Sequence, residues 1–111
     1  MTDGARGAVA RYSALVAAVH AAVARSAGDS EPAAREAALS GEAAEGVLGR
    51  YLELVRRNAY RITDADIAAL RAEGLSEDAI FELTVATAVG AAERRLAAGL
   101  AALGIGAGEG R

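Results

Sequence analysis

Residues 62–103 read ITDADIAALRAEGLSEDAIFELTVATAVGAAERRLAAGLAAL, and this stretch decides the fold. Thr63 stands before Asp64, Ala65 and Asp66, so a hydroxyl at the helix entrance meets a carboxylate three residues on, a capping box with Asp in place of Glu. Two acidic residues also suit the positive end of the helix dipole. The helix so begun carries Ile67 and Leu70 and stops at Gly74. Ser76 then caps another helix, opened by Glu77 and Asp78 and predicted to run from about 77 to 103. Its apolar positions include Ile80, Leu83, Val85, Ala88, Leu96, Leu100 and Leu103, spaced for a helix rather than a strand. Gly90, in its middle, marks a place where another backbone can come close.

Working back toward the N-terminus, Val47, Leu48, Tyr51, Leu52, Val55 and Ala59 form the strongest apolar stripe, on a helix predicted from about Glu42 to Tyr60. Ser30, Glu31 and Pro32 supply an N-cap with Pro in the first turn, so a short helix should run to about Leu39 before Ser40 and Gly41 interrupt it. Val9, Tyr12, Val16, Val19 and Val23 recur at spacings of three and four, an amphipathic helix that Gly28 ends. The expected architecture is all-α: one domain over 6–103, about five helices, the last one long. Residues 1–5 are expected to be a flexible N-terminus and 104–111, GIGAGEGR, a flexible Gly-rich tail. No internal repeat of fixed period is present.

Composition narrows the chemistry. Of 111 residues, 31 are Ala, and the only aromatics are Tyr12, Tyr51, Tyr60 and Phe81. Ala is the best helix former, and helices this poor in bulky side chains gain buried area mainly by packing against a second copy. A chain with no cysteine has no disulfide, no thiolate nucleophile and no zinc–thiolate or iron–sulfur site. Net charge is −3, with twelve Arg and no Lys, a mildly acidic surface that suits nucleic acid poorly. The uncharged runs Tyr12–Ala24 and Leu96–Gly108 fall short of the 18 or so apolar residues of a membrane span, so no membrane is expected as partner. The first run loosely mimics a secretory leader, but it is weakly hydrophobic and carries His20, and a cytoplasmic protein is expected.

At this point residues 47–103 resemble the C-terminal half of the AhpD-like alkylhydroperoxidase family, also called the carboxymuconolactone decarboxylase family. The likeness lies in the ITDADIAALRAEGLS turn and in the Arg95-Leu96-Ala97 segment, where Arg94 replaces the family's usual Asn. The resemblance implies an AhpD-like helical bundle, found in the family as dimers, trimers and hexamers. It also implies a C-x-x-C-x-x-x-H motif upstream, followed by a Gly and a Ser-containing turn. With His20 on the motif histidine, Gly28 falls near that Gly and the two cysteine positions fall on Ser13 and Val16. The family's acidic relay residue falls at or before Met1. The resemblance therefore implies the fold without its thiol reaction, for no peroxidatic or resolving sulfur is present.

Helical geometry gives a separate view of the same positions. At 100° per residue Ser13, Val16 and His20 share one wall of the first helix, beside Tyr12. His20 is the candidate general acid/base, with Tyr12, Ser13, Val16 and Tyr51 as candidate pocket residues; the plain alternative is a border histidine bonded to a neighbouring helix. Ser13 and His20 are two turns, about 10 Å, apart, too far for a nucleophile and its base. No second His or Cys completes a metal set, so no metal and no cofactor are expected. Asp64, Asp66, Glu77 and Asp78 read as capping residues. The pairs Arg56-Arg57 and Arg94-Arg95 read as partners of acidic helix faces such as Glu53 and Glu93, and Tyr51 and Tyr60 as packing residues. The segment Ile67–Leu83 also fits a helix-turn-helix, but Glu77, Asp78 and Glu82 would repel phosphate. Two functional readings remain. One is a redox-inactive, oligomeric binding or assembly protein that holds a small hydrophobic ligand between helices. The other is a thiol-independent enzyme using His20 on a small lactone or keto acid.

Overall fold

The computed structural model describes residues 3–25 and 27–104. Five α-helices follow one another: α1 (Asp3–Arg25), α2 (Pro32–Ser40), α3 (Gly46–Arg57), α4 (Asp64–Ala72) and α5 (Glu77–Ala102). A single 3₁₀ turn, Ala59–Arg61, links α3 to α4, and no strand occurs among the described residues. The all-α architecture with a long last helix is as the sequence implies.

The helix boundaries follow from local chemistry. The Thr63 backbone N–H donates to an Asp66 carboxylate oxygen at 2.8 Å, and its hydroxyl donates to the same oxygen at 3.1 Å, which fixes the start of α4. Ser76 Oγ accepts the Ala79 N–H at 3.0 Å and starts α5; a cap of this kind is worth about 1 kcal/mol. Gly41 turns left-handed at φ 79°, and the next N–H, of Glu42, returns to the Ala37 carbonyl at 3.0 Å, closing α2.

Three helices differ from the expectation at their ends. α1 begins at Asp3, inside the segment expected to be a loose N-terminus, and stops at Arg25, before Gly28. α3 starts at Gly46 and not near Glu42, because Gly46 at φ 69° leaves the helical path and 42–45 run outside it. The α2 cap is Glu31, without a side-chain bond, since Ser30 turns its hydroxyl elsewhere. Of the expected tail only Gly104 lies within the described residues. Length and composition also put α1, from Arg6 to Arg25, within what a membrane span requires, against the expectation from uncharged runs.

Among the described residues the buried apolar side chains fall between Ala24 and Ala91. Ala24, Ala38, Leu39, Tyr51, Leu52, Leu70, Ile80, Leu83 and Ala86 cluster together, with Val47, Leu48, Val55 and Ile67 packed around them. The first half of α5 runs through this cluster and crosses α2. Gly90 allows that crossing: a Cβ there would collide with the backbone carbonyl of Leu39. Beyond the core, α1 up to about Val19 and α5 from Ala92 onward are mostly exposed. Glu82 holds the turn after α1 while Glu93 holds His20, so the two helices run antiparallel and leave the body together as a two-helix arm. The radius of gyration of 16.2 Å, with extents of 52 × 28 × 20 Å, reflects this arm, since a compact chain of this length has about 13 Å.

Candidate functional site

His20 lies at the base of the arm, on the side of α1 that faces α5. Its Nδ1 donates to the Glu93 carboxylate, at 2.9 Å from Oε1 and 3.1 Å from Oε2. Both side chains are partly exposed, 38% for His20 and 22% for Glu93, so the pair sits at a rim where water reaches it. A carboxylate on Nδ1 fixes the ring's orientation and leaves Nε2 as the ring's basic nitrogen when the imidazole is neutral. Such a pair can orient a base; it can equally pin one helix to another.

The remaining candidates do not converge on it. Tyr12, at 62% exposure, and Ser13 point to solvent, and Val16 is half-buried. Tyr51 is buried, and its hydroxyl lies 2.7 Å from Thr84 Oγ1, which itself donates to the Ile80 carbonyl at 2.7 Å. The Thr84 proton is thus committed and the Tyr51 hydroxyl is the donor between them. Thr84 and Glu93 are nine positions apart on α5, about 13 Å of helix, so Tyr51 and His20 serve two different places. Beside Tyr51 an open cavity of about 250 Å³ is lined by Ile67, Glu77, Ile80, Phe81 and Thr84. Its wall is mainly aliphatic and aromatic, with one hydroxyl pair and one carboxylate at its edge.

The most densely bonded polar group was not among the sequence candidates. Glu82 receives the Ser30 hydroxyl at 2.6 Å and the Ser30 backbone N–H at 2.8 Å on Oε1, and the Asp29 N–H at 3.0 Å on Oε2. Arg35, 2% exposed, lies beneath: its Nη1 donates to the Ser30 carbonyl at 2.7 Å and to Ser30 Oγ at 3.0 Å, and stands 3.6 Å from Glu82 Oε1. Its Nε donates to the Val23 carbonyl at 3.2 Å. The Ser30 hydroxyl, then the Ser30 and Asp29 amides, and last the Arg35 charge hold the Glu82 carboxyl down to about 2. Gly28 belongs to the same turn, where a Cβ would lie 2.5 Å from a Glu82 oxygen. The cluster is a clamp between the α1–α2 turn and α5, with its carboxylate already saturated by donors. The one sequence signal for it is Arg35 itself, a lone charge among Ala34, Ala38 and Leu39 on a short helix.

The arginine pairs divide their roles. Arg57 Nε and Arg56 Nη1 both reach Glu53, at 2.6 and 3.1 Å, and the Glu53 carboxyl is lowered by the Arg56 bond first and the Arg57 bond second. Arg94 instead donates to the Leu39 carbonyl at 2.9 Å and Arg95 to the Arg56 carbonyl, so these two tie helix ends and leave Glu93 to His20. Tyr60 is 85% exposed and packs no core. No group of three or more His, Asp or Glu side chains suited to a metal ion occurs among the described residues. Comparison with family models, with curated proteins and with solved structures gave no match.

Proposed function

We propose that this chain is a redox-inactive, AhpD-like protein of the carboxymuconolactone decarboxylase type, acting by assembly and binding and not by thiol chemistry. The observation that carries the reading is the exposed arm: Tyr12, Leu15 and Val19 on α1, with Leu96 and Leu103 on α5, stand 40–74% exposed in the single chain. Large apolar side chains gathered in this way on the exposed part of a folded domain mark a contact with another molecule. The Ala-rich composition argues in the same direction, as does the placing of the buried apolar side chains between Ala24 and Ala91 among the described residues. The cavity beside Tyr51 is the place for a small hydrophobic ligand. Light scattering behind size exclusion tests assembly: a dimer, trimer or hexamer is the expected result, and a monomer at tens of micromolar overturns it.

One observation favours an enzyme as the second reading. The Glu93 carboxylate on His20 Nδ1 is the arrangement that prepares Nε2 to take a proton. In that reading the substrate is a small lactone or keto acid brought to the rim of α1 and α5. If such turnover is found and His20→Ala leaves it intact, the enzyme reading is lost.

A further inference from the structure

The cavity beside Tyr51 has a wall whose hydrogen-bonding side chains can be counted one by one. Tyr51, from α3, and Thr84, from α5, both line it, and their hydroxyl oxygens lie 2.7 Å apart in a bond that is only partly buried. Thr84 gives its proton to the Ile80 carbonyl at 2.7 Å, so Tyr51 is the donor between the two. A phenol oxygen carries one proton and still accepts. The Tyr51 proton is committed, and its oxygen accepts no bond from the described residues. Glu77, at the edge, adds carboxylate oxygens, which only accept. Ile67, Ile80 and Phe81 have no polar side-chain atom. The side chains of this wall therefore offer acceptors and no free donor, and a molecule that fits must bring the donor itself.

Charge is the second constraint. Arg71 Nη1 stands 3.7 Å from Glu77 Oε1, with both side chains largely in water. The arginine balances the carboxylate at the edge, so neither an anion nor a cation finds an uncompensated partner there. A neutral molecule is selected, since a charged one would leave water without a counter-charge to meet.

Size and shape are the third. The cavity measures about 250 Å³, against roughly 150 Å³ for a void that takes benzene, so a single ring with one or two small substituents fills it. Tyr51 and Phe81 put two aromatic rings in the wall, and Phe81 is 68% exposed in the free chain. A ring laid against Phe81 takes apolar surface out of water and gains the aromatic contact besides.

From this count we infer that the cavity binds a neutral, ring-sized apolar molecule carrying one hydroxyl, a phenol or cyclic alcohol, whose proton goes to the Tyr51 oxygen. The inference rests on the small-hydrophobic-ligand reading above and narrows it to one class. Para-cresol, toluene and para-toluate test it, for they share a skeleton and differ in a hydroxyl, no polar group and a carboxylate. Binding is read by amide NMR titrations of the full chain. Para-cresol is expected to shift the amides of Ile67 and of residues 77–84, and to bind roughly three to ten times more tightly than toluene, the worth of one neutral hydrogen bond. Para-toluate is expected to bind more weakly than either. Tyr51→Phe strands no donor, because Thr84 keeps the Ile80 carbonyl. In that variant the preference for para-cresol over toluene is expected to vanish while toluene binds as before.

Equal binding of para-cresol and toluene to the wild type, or a preference that survives in Tyr51→Phe, overturns the inference and leaves the small-ligand reading standing. Para-toluate binding more tightly than para-cresol does the same. If none of the three shifts an amide of the wall, the cavity is no ligand site and both readings fall. Should Tyr51→Phe fail to fold by circular dichroism, the wild-type ratio of para-cresol to toluene decides alone.

Discussion

The carbonyl of Leu39 occupies the space that a side chain on Gly90 would need, so the crossing of α2 over α5 depends on one missing methyl group. The same carbonyl accepts from Arg94 Nη1 at 2.9 Å, one turn further along α5. Glycine within a helix costs about 1 kcal/mol relative to alanine, so Gly90→Ala would stabilise α5 in isolation. In the folded chain the clash is with backbone, which cannot rotate away, and overpacking of this kind costs about 1–3 kcal/mol or more. Gly90→Ala is therefore expected to lower the midpoint of thermal unfolding, whereas Gly99→Ala, with nothing within 4 Å of its added methyl, is expected to raise it. Circular dichroism melts of the two variants decide the matter; a stabilised Gly90→Ala would show that α2 and α5 do not meet there.

The Glu82 clamp makes stability depend on pH with a definite sign. Its carboxyl is held down to about 2 in the fold by Ser30, Asp29 and Arg35, against an ordinary value of 4.5. A lowered folded value means that the contribution is complete above about 4.5, shrinks as pH falls from there toward 2, and is absent below it. Glu53 is shifted in the same direction by Arg56 and Arg57, but it lies at the surface, where salt screens it. Thermal midpoints between pH 6 and 2.5 are expected to fall steeply in the wild type and more shallowly in Glu82→Gln. Parallel curves for the two proteins would sink the clamp as the source of acid sensitivity.

For His20 and Glu93 the two functional readings predict different couplings. As a rim pair, part-exposed on both sides, it should contribute at most about 1 kcal/mol to stability, measured by a double-mutant cycle of His20→Gln and Glu93→Gln. A purely structural pair moves only the melting temperature. An oriented base moves the pH profile of turnover as well, and Glu93→Gln then displaces its acidic limb. A profile untouched by Glu93→Gln, in a protein that turns over a lactone, would show that the carboxylate does not serve the ring.

Sequence periodicity was enough for five helices, and three of them announce their start with a local device, Thr63 with Asp66, Ser76 with Ala79, Pro32 in its first turn, whereas α1 and α3 lack one and begin elsewhere than expected. It also marked Gly90 as a site of close approach. What it did not reveal has long-range causes. Glu82 meets Ser30 across 52 residues, and no spacing rule on one helix points to the other. Tyr12 and Tyr51 looked alike as rare aromatics on apolar stripes, yet one is buried beside Thr84 and the other faces solvent on the arm. A stripe tells which side of a helix is apolar; it does not tell whether this chain or another covers it. Ser13 and Val16, aligned with the cysteine positions by resemblance, stand on an arm without polar partners among the described residues, which leaves His20 with Glu93 as the one polar contact of that helix wall.

Thr87 is the residue where sequence and packing are least reconciled. It is 0% exposed, among the three largest fully buried side chains, and its hydroxyl has no hydrogen-bond partner among the described residues. Thr84, three positions earlier, places its own hydroxyl proton on the Ile80 carbonyl and accepts from Tyr51, so it is satisfied twice over. A buried hydroxyl left unpaired loses its hydration and gains nothing, a cost of about 1–3 kcal/mol. Thr87→Val keeps the branched shape and nearly the same helix propensity while removing that cost. The variant is expected to unfold at a higher temperature, by roughly 4–8 °C for each kcal/mol recovered in a domain of this size. Thr84→Val is expected to do the opposite, since it strands the Tyr51 hydroxyl. If Thr87→Val instead unfolds at a lower temperature, the Thr87 hydroxyl has a partner in solution, and the place to look for it is the crossing of α2 and α5 one turn away at Gly90.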